Sequence, residues 1–279
     1  MPRLSRRKFL QTTGTLAYGA MFLPNLDFAD DYRKNPGLQL YSVRKEMLDA
    51  PIPTLQKVAA FGIKQIESAG SSKGHYYGLT PQEMRNICKD LGMTVRSGHV
   101  ALDKNWLKTL DEAAASGQEY LIISSLPSEG QTIDNYKAVA QQFNDAGVEA
   151  KKRGIRFGYH NHDFEFEKEK GRVLYDVLLE ETEPAFVYME LDLGWVVATG
   201  NDPLAYFKKY PGRFPLWHLK DMDLKKKEST EFGKGGLNIK SMFANAKQSG
   251  LRYFFIEQEE YSVNAFESIQ YDLNYLKSF

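Results

Sequence analysis

The 279-residue sequence has a single cysteine, Cys88, so no disulfide can form within the chain and no thiolate cluster can hold a metal. Net charge is missing too. The 36 Lys and Arg residues balance 36 Asp and Glu residues, which argues against a nucleic-acid or membrane-surface partner. No apolar run is long enough to serve as a stable membrane anchor. No glycine-rich nucleotide fingerprint follows the first expected strand, which counts against an open dinucleotide-binding sheet. Histidines number only five, so their placement carries information.

Residues 1–30 are set apart as an export signal. Ser5-Arg6-Arg7-Lys8-Phe9-Leu10 resembles the twin-arginine motif, and the moderately apolar run 14–23 follows it. Such a route leads to the periplasm and carries folded proteins, which suits an enzyme that takes up its metal before export. Without residues 1–29 the chain keeps 32 basic and 35 acidic residues, which weighs further against DNA as substrate.

From residue 36 to the C-terminus, short apolar runs alternate with longer amphipathic ones. Strands are expected at 37–43, 64–68, 94–100, 120–125, 155–161, 186–192, 214–221 and 253–258, all rich in Val, Ile, Phe and Tyr. Between them lie helix signals. Thr80-Pro81-Gln82-Glu83 has the form of a capping box, and Gly62, Gly92, Gly117, Gly154 and Gly250 each close a helical run before the next strand. Cys88, beside Ile87 and Leu91, reads as core. Eight strand–helix units in this length predict one α/β domain, a (β/α)8 TIM barrel over 36–279. Gly233-Lys234-Gly235-Gly236 comes too late for a phosphate loop and reads equally as a flexible turn or as a lid.

In such barrels the chemistry gathers where strands end. All five histidines fall there: His75 after strand two, His99 on strand three, His160 and His162 at the end of strand five, His218 on strand seven. His75 is read as packed or solvated. Glu190 and Asp192 share a strand face by the two-residue period, Glu257 follows three large apolar residues, and Glu67 ends strand two. Carboxylates and imidazoles from separate strands can build a site for one divalent ion, with Mn²⁺, Mg²⁺, Co²⁺ and Zn²⁺ all compatible. The plainer alternative is a set of structural ion pairs, but burying several acids without a cation is costly.

Gly-Leu-Gln-Leu-Tyr-Ser-Val-Arg on strand one, Tyr-His-Asn-His on strand five, Leu-Asp-Leu-Gly-Trp on strand six, His-Leu-Lys-Asp on strand seven and Ile-Glu-Gln on strand eight together resemble the xylose isomerase-like barrels, the sugar phosphate isomerase/epimerase family. The resemblance implies metal ligands at Asp192, His218 and Glu257. It also puts His160 where the epimerases carry a strand-five Glu, and a similar Tyr-His-x-His run occurs in the inosose dehydratase branch. Metal-assisted enolisation is the implied chemistry, with Glu257 or His160 taking the carbon-bound proton. His162, His99 and Glu67 would orient the substrate or act as second base, and Lys220 would neutralise the oxyanion. Tyr41, Trp195 and Trp217 are candidates for stacking on a sugar.

The leading expectation is therefore an isomerase or epimerase on a free or oxidised sugar. A lyase or dehydratase on a keto-sugar or keto-glycoside comes second, and a non-catalytic exported sugar-binding protein third. The abasic-site endonuclease branch shares the fold but needs more metal ligands and a basic groove. The expected partner is a small sugar, with no nucleic acid and no membrane anchor, and a homo-oligomer is compatible with the chain.

Overall fold

A computed structural model describes residues 32–279, and the export-signal expectation lies outside them. Eight parallel strands close into a barrel in sequential order: β1 (Gly37–Gln39), β2 (Gln65–Ser68), β3 (Thr94–Val100), β4 (Tyr120–Ile123), β5 (Arg156–His160), β6 (Val187–Asp192), β7 (Leu216–Leu219) and β8 (Tyr253–Ile256). The expected TIM barrel is what forms. Its outer wall includes helices Pro81–Asp90, Trp106–Ser116, Ile133–Lys152 and Ala265–Leu276. No helix among the described residues is long and apolar enough to cross a membrane.

The local signals act as their chemistry requires. Thr80 Oγ1 accepts the Glu83 backbone N–H at 3.2 Å and Glu83 Oε2 accepts the Thr80 N–H at 2.8 Å, so two otherwise orphaned helix donors are satisfied. Gly117 and Gly250 end their helices with φ of +80° and +86°, where a Cβ would be strained. Cys88 is fully buried.

Alternation along the strands sorts the side chains. Leu121, Ile123, Phe157, Tyr159, Leu191, Trp217, Phe254 and Ile256 join the main core cluster, while Tyr120, Ile122, Leu216 and Phe255 form a separate small cluster. The separation follows from closure of the sheet: odd and even positions pack on its two surfaces and do not meet. Trp217, fully buried, stacks on Phe207 at 5.1 Å and 4°, so it is a core residue and not a sugar platform.

β3 has the expected bounds, and the other strands are shorter than expected. β1 and β7 lose most, and β1 stops at Gln39. Gln39 Oε1 accepts the Tyr41 N–H at 3.1 Å and starts a 3-10 turn, Leu40–Val43. The glycine-rich loop is neither a free turn nor a free lid. The Asp221 carboxylate accepts the N–H groups of Met222, Gly233, Gly235 and Leu237 at 2.8–3.0 Å. A Cβ on Gly235 would lie 2.3 Å from that carboxylate.

Next to this loop Glu231 accepts from Ser262 N–H and Oγ, Ser268 Oγ and Lys234 Nζ, tying the loop to the last helix. Burial works against its charge, but the Ser262 and Ser268 hydrogen bonds outweigh that and bring the carboxyl down to about 2. A folded pKa below the unfolded one adds stability that is present above about pH 4.3 and lost as pH falls toward the folded value. Glu231→Gln should therefore lower Tm by several degrees at pH 7. In thermal melts the gap to wild type should close between pH 4 and pH 2, and a pH-independent gap would refute the charge argument.

Candidate metal centre at the barrel mouth

Register places the site. His160 on β5 pairs with Glu190 on β6, Asp192 with His218 on β7, and Gln39 on β1 with Glu67 on β2. All these side chains except that of Gln39 are acids or imidazoles, and all are buried. Four histidines meet: the His218 ring lies 4.3 Å from His160 and 5.0 Å from His99, and His160 lies 4.9 Å from His162. His75 stands apart, hydrogen-bonded to Ser68 Oγ at 2.8 Å, in keeping with a packed role.

One ligand atom from each of His160, Asp192, His218 and Glu257 falls within 4.8 Å of the others. Asp192 shows how the set is held. Its Oδ1 accepts the Trp195 N–H at 3.0 Å and caps helix Leu193–Ala198, while its own N–H donates to Asn161 Oδ1 at 3.1 Å. Its Oδ2 is left facing His160 Nε2 at 3.3 Å and Lys220 Nζ at 3.0 Å. That oxygen and both ring nitrogens of His160 are buried without a hydrogen-bond partner. The orphaned Asp192 oxygen and His160 ring, with His218 and the Glu257 carboxylate beside them, make a donor set that fits a divalent ion.

Electrostatics divides these groups. Burial drives His160 well below the usual imidazole range, with His218, His162 and His99 adding to it, so its ring is neutral. His162 falls to about 4 through burial and then the nearby Lys220 charge. His218 goes the other way. Burial opposes its charge, but Glu190, Glu257 and Glu67 outweigh this and hold it well above the ordinary value. Burial also opposes the charge on Lys220, yet Asp192, Glu257 and Glu259 keep it charged, with contacts of 3.0, 2.8 and 2.8 Å. Glu257 is a carboxylate because Lys220 and His218 outweigh the burial that would protonate it.

The remaining expected residues fall into two groups. Trp195 borders the centre, 5.1 Å from Lys220 Nζ and 6.3 Å from His162, whose ring stacks on Phe164 at 5.6 Å. Tyr41 is 39% exposed, and its recorded ring contact is with Arg44, not with the histidines. Glu67 is wholly buried and meets His218 Nε2 at 2.6 Å, so it acts on the mouth through that ring. His99 bonds Glu190 Oε2 at 2.7 Å. Two acids at the mouth, Glu259 and Glu165, were not singled out by the sequence. Glu190 carried a signal, its alternation with Asp192; Glu259, on Lys220, and Glu165, which accepts the His162 N–H at 2.9 Å and a bond from Tyr159 Oη, carried none.

The family described as Xylose isomerase-like TIM barrel matches residues 55–279. A sugar phosphate isomerase/epimerase from Parabacteroides distasonis superposes with TM-score 0.78 at 28% identity, over 88% of this chain and 94% of that one. An inosose dehydratase of Clostridium perfringens is 33% identical over 98 residues, 35% of this chain and 32% of that protein, so the chain spans about a third of that relative's length. The fold of an IolI protein with a bound zinc atom is also similar, with TM-score 0.67 at 11% identity over 87% of this chain and 96% of that one.

Removing a ligand should cost more than the ~10–100-fold in affinity that loss of an outer partner costs. His160→Ala and Asp192→Ala are each expected to weaken Mn²⁺ binding at this set by more than that. Competition with a fluorescent chelator on stripped full-length protein measures it, and unchanged affinity in both variants would remove the centre from this position.

Proposed function

Because the chain belongs to the xylose isomerase-like TIM barrel family, we propose that it is a divalent-metal-dependent lyase, eliminating water or an alcohol from a keto-sugar or keto-glycoside. His160, Asp192, His218 and Glu257 would hold the ion, whose contribution when bound is Lewis-acid polarisation of a carbonyl. The observation that carries the reading is the Lys220–Glu257 contact of 2.8 Å between a buried charged acid and a buried carboxylate. Two groups one hydrogen bond apart serve the same side of a substrate. A two-base epimerase needs a second carboxylate on the opposite wall, and this chain has the neutral ring of His160 there.

The proton movements follow from these charges. Glu257 takes the proton from the carbon next to the carbonyl, and the C–H electron pair becomes the new double bond. The C–O bond at the next carbon breaks, and the leaving oxygen takes a proton from Lys220. Glu257 is a weak base while Lys220 and His218 donate to it, and transfer of the Lys220 proton removes one donor as the carbon proton arrives. Trp195 and Phe164 beside His162 supply aromatic surface of the kind that packs on the apolar face of a sugar ring.

Isomerisation or epimerisation is the second reading, favoured by the 28% identity to the Parabacteroides protein over most of the chain. Export by the twin-arginine route to the periplasm belongs to the same proposal, supported by Ser5-Arg6-Arg7-Lys8-Phe9-Leu10, and would bring the enzyme unphosphorylated sugars.

The test is turnover of an inosose and of keto-glycosides in deuterated water, scoring enone absorbance against solvent exchange. Elimination is expected in the wild type, with Lys220→Met slower by ~10²–10⁴-fold. His160→Glu is expected to lose elimination while gaining exchange. Exchange or epimerisation without elimination in the wild type would favour the second reading. Saturable sugar binding without turnover and indifferent to chelators would leave a sugar-binding protein.

A further inference from the structure

His218 presents its two ring nitrogens to two different sets of acids. Nδ1 faces Glu257 Oε2 at 2.9 Å and Asp192 Oδ2 at 3.8 Å, within the centre described above. Nε2 faces the other way, toward Glu67 Oε2 at 2.6 Å and Glu190 Oε2 at 3.4 Å. His99 Nε2 completes this second set at 2.7 Å from Glu190 Oε2 and 3.4 Å from Glu67 Oε2. The four atoms lie within 4.8 Å of one another, and Glu190 is two strand residues, about 6–7 Å, farther from the mouth than Asp192.

Three features set this group apart from an ordinary buried ion pair. Among the described residues, the recorded ion-pair partners of Glu67 and Glu190 are histidines alone, with neither Lys nor Arg among them. The second oxygen of each, Glu67 Oε1 and Glu190 Oε1, is buried without any donor. Two buried carboxylates in this state require a cation or shared protons. The geometry suits the cation. A four-coordinate ion with bonds of about 2.0–2.2 Å needs ligand edges of about 3.3–3.6 Å. Two of the four N–O edges are already 3.4 Å, and the other two are short because a proton now bridges each. Gln39 Nε2, at 2.9 Å from Glu67 Oε2, fixes that carboxylate from outside the set, and the His99 ring lies parallel to His218 at 6°.

We propose that Glu67, His99, Glu190 and the Nε2 side of His218 form a second divalent-cation site, so that His218 joins two ions through its two nitrogens. Occupation of both sites removes both ring protons from His218, and they pass to solvent as the ions bind. Charge then closes. The four carboxylates Glu67, Glu190, Asp192 and Glu257 and the bridging imidazolate are offset by two divalent ions and Lys220. This goes beyond the proposed activity, which needs only the upper ion.

The test uses stripped full-length protein titrated with Zn²⁺ or Mn²⁺ alone, with bound metal counted after desalting. Two ions per chain are expected in the wild type. One is expected in Glu190→Gln, in His99→Gln and in Asp192→Ala, and none in His218→Ala. In the Mn²⁺ form, the wild type should give the electron paramagnetic resonance spectrum of a coupled pair, and Glu190→Gln that of an isolated ion. Circular dichroism identifies a misfolded variant, in which case the other lower-set variant decides. One ion per chain at saturation in the wild type, unchanged in the lower-set variants, would overturn the proposal and make the lower four residues a hydrogen-bonded support for His218. No activity is read, so failure of the lyase reading leaves this result unaffected.

Discussion

His218 is held between buried carboxylates on both of its ring nitrogens, and the arrangement of the barrel mouth follows from that. The imidazole cannot rotate without breaking a bond to Glu67 on one side or Glu257 on the other. It therefore fixes the β2, β7 and β8 ends relative to one another. Fixing Glu257 also fixes Lys220, whose ammonium bridges Glu257, Asp192 and Glu259. Asp192 is clamped independently by the N-terminus of its helix and by Asn161. A site held at this many points on rigid strands keeps its geometry before substrate arrives, which is what electrostatic catalysis requires.

Such a mouth is costly, because isolated buried charge is destabilising. The barrel limits the cost by layering its interior. At the opposite end Glu119 accepts bonds from Arg96, Arg156 and Tyr253, a polar plug in which the acid has cationic partners. Above it lie Tyr120, Ile122, Leu216 and Phe255, an apolar layer that separates the plug from the acids. The upper layer is left with more carboxylates than lysines. That imbalance is the physical reason for reading it as a cation site and not as one more structural network.

The rhythm of eight strands was legible because each is a short run rich in Val, Ile, Phe and Tyr, and the helix caps between them obey local chemistry. Local rules placed Asp192, His218 and Glu257 at strand ends, and the family resemblance marked them as ligands. Failures came where a non-local contact decides. Gln39 ends β1 by capping Tyr41 with its own side chain, which no hydropathy pattern shows. Asp221 gathers four amides and turns a glycine-rich stretch into a fixed loop. Glu67 reads as a rim acid from its position, yet the β2–β3 register shift between Ile66 and Glu67 accompanies its place beneath His218. Trp217 reads from the sequence as a sugar platform or as core, and strand alternation decides for the core on the helix side.

The histidine at position 160 links the charge of the mouth to its chemistry. A carboxylate there would be a fifth buried acid next to four, facing Asp192 Oδ2 at about the 3.3 Å now spanned by the ring nitrogen. Repulsion at that distance with little solvent would force a proton onto one of the pair or draw Lys220 across to it. Either outcome changes the acid–base pair on the other wall, because Lys220 is also the partner of Glu257. With a neutral ring at 160, Lys220 stays on Glu257, and acid and base remain together on one side. The replacement of a strand-five carboxylate by an imidazole therefore does more than exchange one ligand for another. It concentrates the proton-transfer capacity of the mouth on a single face, and a one-faced acid–base pair suits expulsion of a leaving group better than delivery of a proton to the opposite side.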